Sequence, residues 1–350
     1  MKIRHSERVS ESQILRPIYG HSLYQILFLC YTKAMNGSKF LSEEEYVSQM
    51  HTGALLNPRI DSTFKAMFTQ PTEESRAALH SFLEAATEEK IKSFELTAND
   101  APVSYNGQRN VSYDIACVLD DGRMAEIEMQ AFDQQYDYGK RAEYHVARLE
   151  TTYLEKGDDW QSAPVVFQIT VLNFHYTPKS RNAINRYAMR TKDGLELSNT
   201  LNVVFIELPK ITKLEKSIDT NSKLENWALF LKDADNPKKQ DFIKNLTSKE
   251  DGLMQAKKSL SNISKNKALW IAQWKQESFE RDIRSGLNAA MQQGIAQGIQ
   301  QGIAQGIAQG LQQGIAQEKI ATARAMLADG ISAVQIAKWT GLTPEEIANL

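Results

Sequence analysis

Hydrophobic and polar residues alternate most cleanly between Val111 and Ala131. Tyr113, Ile115, Cys117 and Leu119 form one set and Asp114, Ala116 and Val118 the other, which is the two-residue period of a β-strand. Asp120, Asp121 and Gly122 supply turn chemistry. In the run that follows, Glu126, Glu128 and Gln130 share one face, and Ala125, Ile127 and Met129 share the other. The pattern predicts a hairpin with Asp114 and Glu128 side by side. Two carboxylates held close repel, and holding a cation is the common reason to keep such a pair. The alternative is two solvated acids on the open face of a sheet. Glu126 shares the face of Glu128 but is expected to be an outlying or solvated acid rather than a ligand.

Elsewhere the periodicity is helical or continuously apolar. Phe64, Met67, Phe68, Leu79, Phe82 and Leu83 fit two helical pieces broken at Pro71. Residues 136–153 predict a helix on which Lys140, Arg141, Tyr144 and Arg148 share a face, either as a solvated flank or as phosphate contacts. Residues 165–174 and 201–211 are unbroken apolar runs, as buried strands are. Residues 213–285 read as helical, with Trp227, Leu229, Phe230, Trp270 and Trp274 as core anchors.

From Gly294 the chain repeats with a period of four, GIAQGIQQGIAQGIAQGLQQGIAQ, and no charged residue lies between Arg284 and Glu318. As a helix, each four-residue step overshoots a full turn by about 40°, so the Gly and Ile stripes wind around the axis. Each glycine costs that helix about 0.8–1 kcal/mol relative to alanine, so such a helix calls for a partner. Self-association, a flexible linker and a Gln-bearing strand are the three readings. The end of the chain predicts one helix over 318–329 stopped by Gly330, a second capped by Ser332, a break at Gly341 and a third opened by Thr343-Pro344. Ala337, Gly341 and Ile347 stand at helix-turn-helix spacing. The last helix is acidic, so packing or oligomerisation is its expected role rather than reading DNA.

Composition narrows the field. The chain has 350 residues, 42% of them hydrophobic, enough for a domain with a real core and appendages. A formal charge of −2 gives no bulk electrostatic case for nucleic acid, although positive charge can still gather on one face. Cys30 and Cys117 are far apart, which excludes a disulfide framework and a zinc site and fits a reduced, cytoplasmic protein. No apolar run reaches the roughly 20 residues a membrane helix needs. The histidines sit in no ligand spacing and receive no chemistry.

In order along the chain, Leu55-Leu56-Asn57-Pro58, Asp61-x-x-Phe64-Lys65-x-x-Phe68, Tyr113-Asp114, Glu126-Ile127-Glu128-Met129-Gln130, Tyr138-Gly139-Lys140-Arg141 and an apolar strand ending at Phe174 are similar to the PD-(D/E)xK nucleases. More narrowly, they resemble the Rpn/YhgA-like recombination-promoting nucleases, a transposase-like branch. The resemblance implies an α/β (α+β) restriction-endonuclease-like core: a helix, a three-strand meander, a second helix and a further strand in a central mixed sheet, with a helical region after it. It implies a metal-dependent DNA endonuclease using Mg²⁺ or Mn²⁺ on double-stranded DNA. Asp114 and Glu128 would bind the metal, with the main-chain carbonyl of Met129 as a further ligand. Asp61 would hold or orient a cation, or else cap its helix. Gln130 stands where the wider superfamily has lysine, and an amide brings only a dipole to the attacking water. Lys65 would supply the missing charge, and Lys140, Arg141 and Arg148 would meet phosphates.

The expected organisation is an N-terminal extension over residues 1–49, a nuclease-like domain over 50–212, a helical region over 213–285, the repeat over 286–317 and a helical unit over 318–350. The extension is expected to be an upstream addition with Met35 or Met50 as an alternative start, or else a helix in which SLYQILFLCY buries one side. A homo-oligomer through the C-terminal region is the expected assembly. A catalytically degenerate nuclease fold that binds DNA or assembles, and a true transposase, are the rival functions.

Overall fold

The computed structural model describes residues 41–101, 108–134, 137–152, 154 and 156–350. The possible N-terminal helix around Leu23–Tyr31 and the helix ends expected at Tyr136 and Tyr153 lie outside the described residues. The chain divides into two compact units, one ending at Gln276 and one running from Glu277 to Leu350.

In the first unit, α1 (Glu43–Ser48) opens with a capping box in which Ser42 and Glu45 satisfy each other's backbone amides. α2 (Asp61–Thr69) and α3 (Glu73–Thr87) are separate helices with Pro71 between them, and Thr72 caps the second by accepting from the Ser75 amide. β1 (Phe94–Leu96), β2 (Ile115–Leu119) and β3 (Met124–Gln130) then form an antiparallel meander. Gly122 makes the β2–β3 turn possible: its φ of +84° is strained for any residue with a Cβ. The Asp121 side chain accepts from the Arg123 amide beside it.

After the meander, α4 (Tyr138–Thr151) crosses to β4 (Val166–Leu172), which pairs in parallel with β3. β5 (Ile184–Ala188) and β6 (Leu201–Glu207) complete a six-stranded mixed sheet of order β1-β2-β3-β4-β6-β5. β4 and the inner end of β6 are buried, so their sequences are continuous apolar runs. The second run stops being a strand at Glu207 and becomes a 3₁₀ helix over Leu208–Leu214, with Pro209 in its first turn, where a ladder amide is no longer needed. The two edge strands, β1 and β5, are half-exposed segments without an apolar run.

Both faces of the sheet are covered. Ile115, Cys117, Ala125, Ile127, Met129 and Ile169 enter one large core with Phe64, Phe68 and Phe82 of α2 and α3. The same core takes in Trp227 and Phe230 of α5 (Lys223–Asp233) and residues of α6 (Gln240–Lys249) and α7 (Asp251–Ile263). On the opposite face α4 packs through Ala142, Val146 and Leu149. The result is a restriction-endonuclease-like α/β core with helices on both sides.

α8 (Lys267–Ala328) begins in the first unit, where Trp270 is buried against Tyr46 and the Trp274 indole donates to the Leu41 carbonyl. Trp274 itself is only partly buried. The helix contains the whole repeat, so the linker and strand readings are replaced by a helix whose Gly and Ile stripes are exposed. In the second unit, the end of α8, α9 (Ala333–Thr340) and α10 (Pro344–Ala348) enclose a small core of Ala323, Ile336 and Ile347. Gly330 and Gly341 take left-handed φ values of +79° and +70°, ending their helices as the pattern predicts.

One contact limits how closely α3 and α7 can approach. A Cβ added at Gly252 would lie 1.9 Å from the Ser81 hydroxyl oxygen, whereas one added at Gly306 would meet nothing. Gly252→Ala is therefore expected to cost about 1–3 kcal/mol by overpacking. Within a single chain, Gly306→Ala should stabilise its helix by about 0.8–1 kcal/mol. Denaturant melts of the two variants test the contrast, and equal effects would contradict it.

Candidate active site

The site is built where α4 lies across β3. Strand alternation sends Glu126, Glu128 and Gln130 toward α4, while Ala125, Ile127 and Met129 enter the main core. On α4, Arg141 and His145 are four residues apart and so share the face that meets them. The Arg141 guanidinium donates to Glu128 Oε1, and His145 Nδ1 lies 2.9 Å from Glu126 Oε1. Glu126 is fully buried, Glu128 is 3% exposed and His145 is 6% exposed.

Asp114 occupies a bend just before β2, one step beyond the Ile115–Ile127 pair, which places it opposite Glu128. Its Oδ2 accepts from the Met129 amide at 3.0 Å. Tyr113 does not stay on the Ile115 face as alternation predicts. The bend turns it to the α4 side, where its ring meets His145 edge-on at 5.8 Å.

Electrostatics follow from this burial. Removal from water pushes Glu128 up to about 7, with the neighbouring Glu126 charge adding to the effect and Arg141 opposing it. Burial raises Glu126 well above the usual carboxylate range, and Asp114 raises it further. Asp114 is also raised by burial, against the pull of the Met129 amide and then of the Lys65 and Arg141 charges. His145 is lowered, chiefly by burial. The cluster holds more buried carboxylate than its two nearest cationic groups neutralise. Glu126 Oε2 is buried with no hydrogen-bond partner among the described residues. One oxygen or nitrogen from each of Glu126, Glu128 and His145 lies within 4.8 Å of the others, and this donor set fits a divalent cation.

Beside the cluster, Arg109, Ser112, Lys140, Arg141, Tyr144 and His145 line a cavity of about 620 Å³. At this opening Arg109, Lys140 and Arg141 outnumber the one acid in the lining, Asp137.

The structure sorts the other expected residues. Lys65, on α2, is placed to act on the Asp114 carboxylate through space. Asp61 is not a helix cap: Ile60 holds that position, and Asp61 is the exposed first residue of α2, outside the buried Glu126–Glu128–His145 group. Lys140 is exposed and pairs with Asp137, whereas Arg141 turns inward and Arg148 is buried. The shared cationic face is therefore divided, because α4 lies on a polar strip of sheet and its 141/145/148 series points into it. A buried guanidinium does not support Arg148 as a direct phosphate contact. Gln130 is buried at the end of β3 and ends the series of acids.

Two members of the site escape sequence reasoning. Glu126 is buried rather than solvated, and His145, expected to carry no chemistry, is buried in contact with it. The one signal available was the four-residue spacing of Arg141 and His145 on a helix that must cover the acidic face.

Residues 58–290 match the model of the PD-(D/E)XK nuclease family transposases, and the chain belongs to that family. Residues 311–350 match the Rpn/YhgA-like nuclease family C-terminal HTH domain, which assigns the chain to the Rpn/YhgA-like branch. The terminal unit is thus a helix-turn-helix domain, as the spacing of Ala337, Gly341 and Ile347 predicts. No curated protein and no solved structure matches the chain.

The buried acids predict a pH dependence. Glu128, raised from 4.5 to about 7, binds protons in the folded state that it has lost in the unfolded state, so stability falls as pH rises through that window. Glu126 acts in the same sense, while His145, lowered from 6.5, acts oppositely and only below that value. With EDTA present, the melting temperature should therefore drop between pH 6.5 and 8, and Glu128→Gln should flatten the slope. A flat wild-type profile, or an unchanged slope in the variant, would contradict the assignment.

Proposed function

We propose that the chain is a metal-dependent DNA endonuclease that hydrolyses phosphodiester bonds in double-stranded DNA, in a setting of recombination or mobile elements. The observation that carries this reading is the group of half-buried Asp114 and buried Glu126 and Glu128 beside a cavity lined by Arg109, Lys140 and Arg141 with Asp137. Carboxylates kept at such electrostatic cost need a positive partner, and phosphate needs a positive approach.

In this reading Asp114, Glu128 and the Met129 carbonyl hold Mg²⁺ or Mn²⁺, with Asp61 assisting from α2. The bound cation supplies Lewis-acid charge at the scissile phosphate and lowers the pKa of a water beside it. The Met129 amide fixes the Asp114 carboxylate, and Arg141 fixes that of Glu128. Gln130 orients the attacking water through a hydrogen bond. Lys65 supplies the charge that a lysine at position 130 would bring. Arg109, Lys140 and Arg141 receive the DNA backbone, and the helix-turn-helix domain adds a second DNA contact.

Asp114→Ala or Glu128→Ala should lower Mg²⁺-dependent plasmid cleavage by about a hundredfold or more without unfolding the protein. Gln130→Lys should preserve or raise it. Full activity in both alanine variants would refute the site. A folded wild type that binds DNA but cuts under no metal would favour a degenerate nuclease fold used for binding or assembly, a reading that Gln130 favours.

The repeat supports a homo-oligomer. Its side chains from Met291 to Ile315 are 45–67% exposed at the apolar positions. A period of four makes the Ile row a continuous i±4 ridge and the Gly row a continuous groove. Such ridges and grooves interlock between helices crossing at about −50°, and the same helix offers both halves. Replacing Ile299, Ile303 and Ile307 together by Gln should convert a dimer or higher species to monomer in sedimentation equilibrium. A wild type that is monomeric at tens of micromolar would refute the assembly.

A further inference from the structure

We propose that Glu126, Glu128 and His145 form a cation site of their own, with an imidazole nitrogen among its ligands, which takes Mn²⁺ or a similar transition-metal ion in preference to Mg²⁺. This rests on the endonuclease reading for its setting and extends it, since the Asp114–Glu128–Met129 set offers oxygen alone.

Four observations carry it. The three side chains come from two elements that pack directly, β3 and α4, and each is at least nine-tenths buried. Their ligand atoms lie within 4.8 Å of one another, a span that one ion can bridge. Glu126 Oε2 is buried without a hydrogen-bond partner among the described residues. The ring of His145 is held from the side by Tyr113, edge-on at 5.8 Å, so its orientation is built in. The Glu126–His145 and Glu128–Arg141 contacts show how the groups are held together, and the first is the one an ion between them would replace.

Ligand type sets the choice of ion. Mg²⁺ is hard, keeps its waters and prefers oxygen, whereas an imidazole beside two carboxylates suits Mn²⁺ and the ions after it in the first transition row. Glu128 belongs to both sets and stands between the outer acid, Asp114, and the inner pair.

The test uses the full chain and Mn²⁺ itself. Pulsed electron paramagnetic resonance of the Mn²⁺-loaded protein should show coupling to a ¹⁴N nucleus, and His145→Gln should abolish it. Titration calorimetry should give an Mn²⁺ affinity at least tenfold above that for Mg²⁺, a preference that His145→Gln removes. No nitrogen coupling in folded wild-type protein, or equal affinities for the two ions, would overturn the site even if His145→Gln failed to fold. Asp114→Asn separates this inference from the nuclease reading, because it should lose cleavage yet keep the nitrogen coupling. Coupling in a wild type that cuts no DNA would uphold this site and refute the nuclease. Cleavage without coupling would do the reverse.

Discussion

The layer that α4 forms on the sheet depends on keeping Glu126 and Glu128 out of water. A buried carboxylate without a partner costs several kcal/mol, so the fold must supply cations, hydrogen bonds or protons to it. α4 supplies the first two through Arg141 and His145, which explains why a helix with so polar a face can sit on the middle of a sheet. Ala142, Val146 and Leu149 anchor the same helix by apolar contact, and Leu172 closes that layer. α4 therefore both covers the acids and answers them.

The same constraint explains what could be read from the chain and what could not. The β2–β3 hairpin was legible because Asp121, Gly122 and the alternation on either side encode it locally. β4 and β6 were legible because central strands must be apolar throughout. β1 and β5 were not, since Phe94–Leu96 and Ile184–Ala188 are edge strands set by their neighbours and carry no pattern of their own. Asp114 and Glu128 stood out as a pair from spacing alone. Glu126 did not, because whether an acid on that face meets water depends on which helix covers it, and that is a tertiary fact. The inward turn of Arg141 and Arg148 was hidden for the same reason. His145 carries no signature until Arg141 is known to point at the sheet.

The C-terminal part shows the limit of local rules in another way. Glycine every fourth residue argues against a helix by propensity, yet α8 runs through the entire repeat. Helix formation there keeps the backbone hydrogen-bonded while leaving a ridge and a groove in solvent, so the sequence is shaped by what it presents rather than by what it buries. The helix-turn-helix unit after it obeys ordinary rules, with left-handed glycines at its breaks and a capping box at Thr343 and Glu346.

The hydrogen bond from the Met129 amide to Asp114 has a consequence for how the fold reaches a single answer. A slip of β3 by one residue would turn Glu126, Glu128 and Gln130 into the aromatic core and bring Ile127 and Met129 beneath Arg141. It would also leave Asp114 facing the wrong amide. Two acids stranded among Phe64, Phe68 and Phe82 without Arg141 and His145 would add a desolvation cost to the poorer packing of any such misalignment. The acids that look like a burden on stability thus also weigh against mispaired sheets and help to select one register.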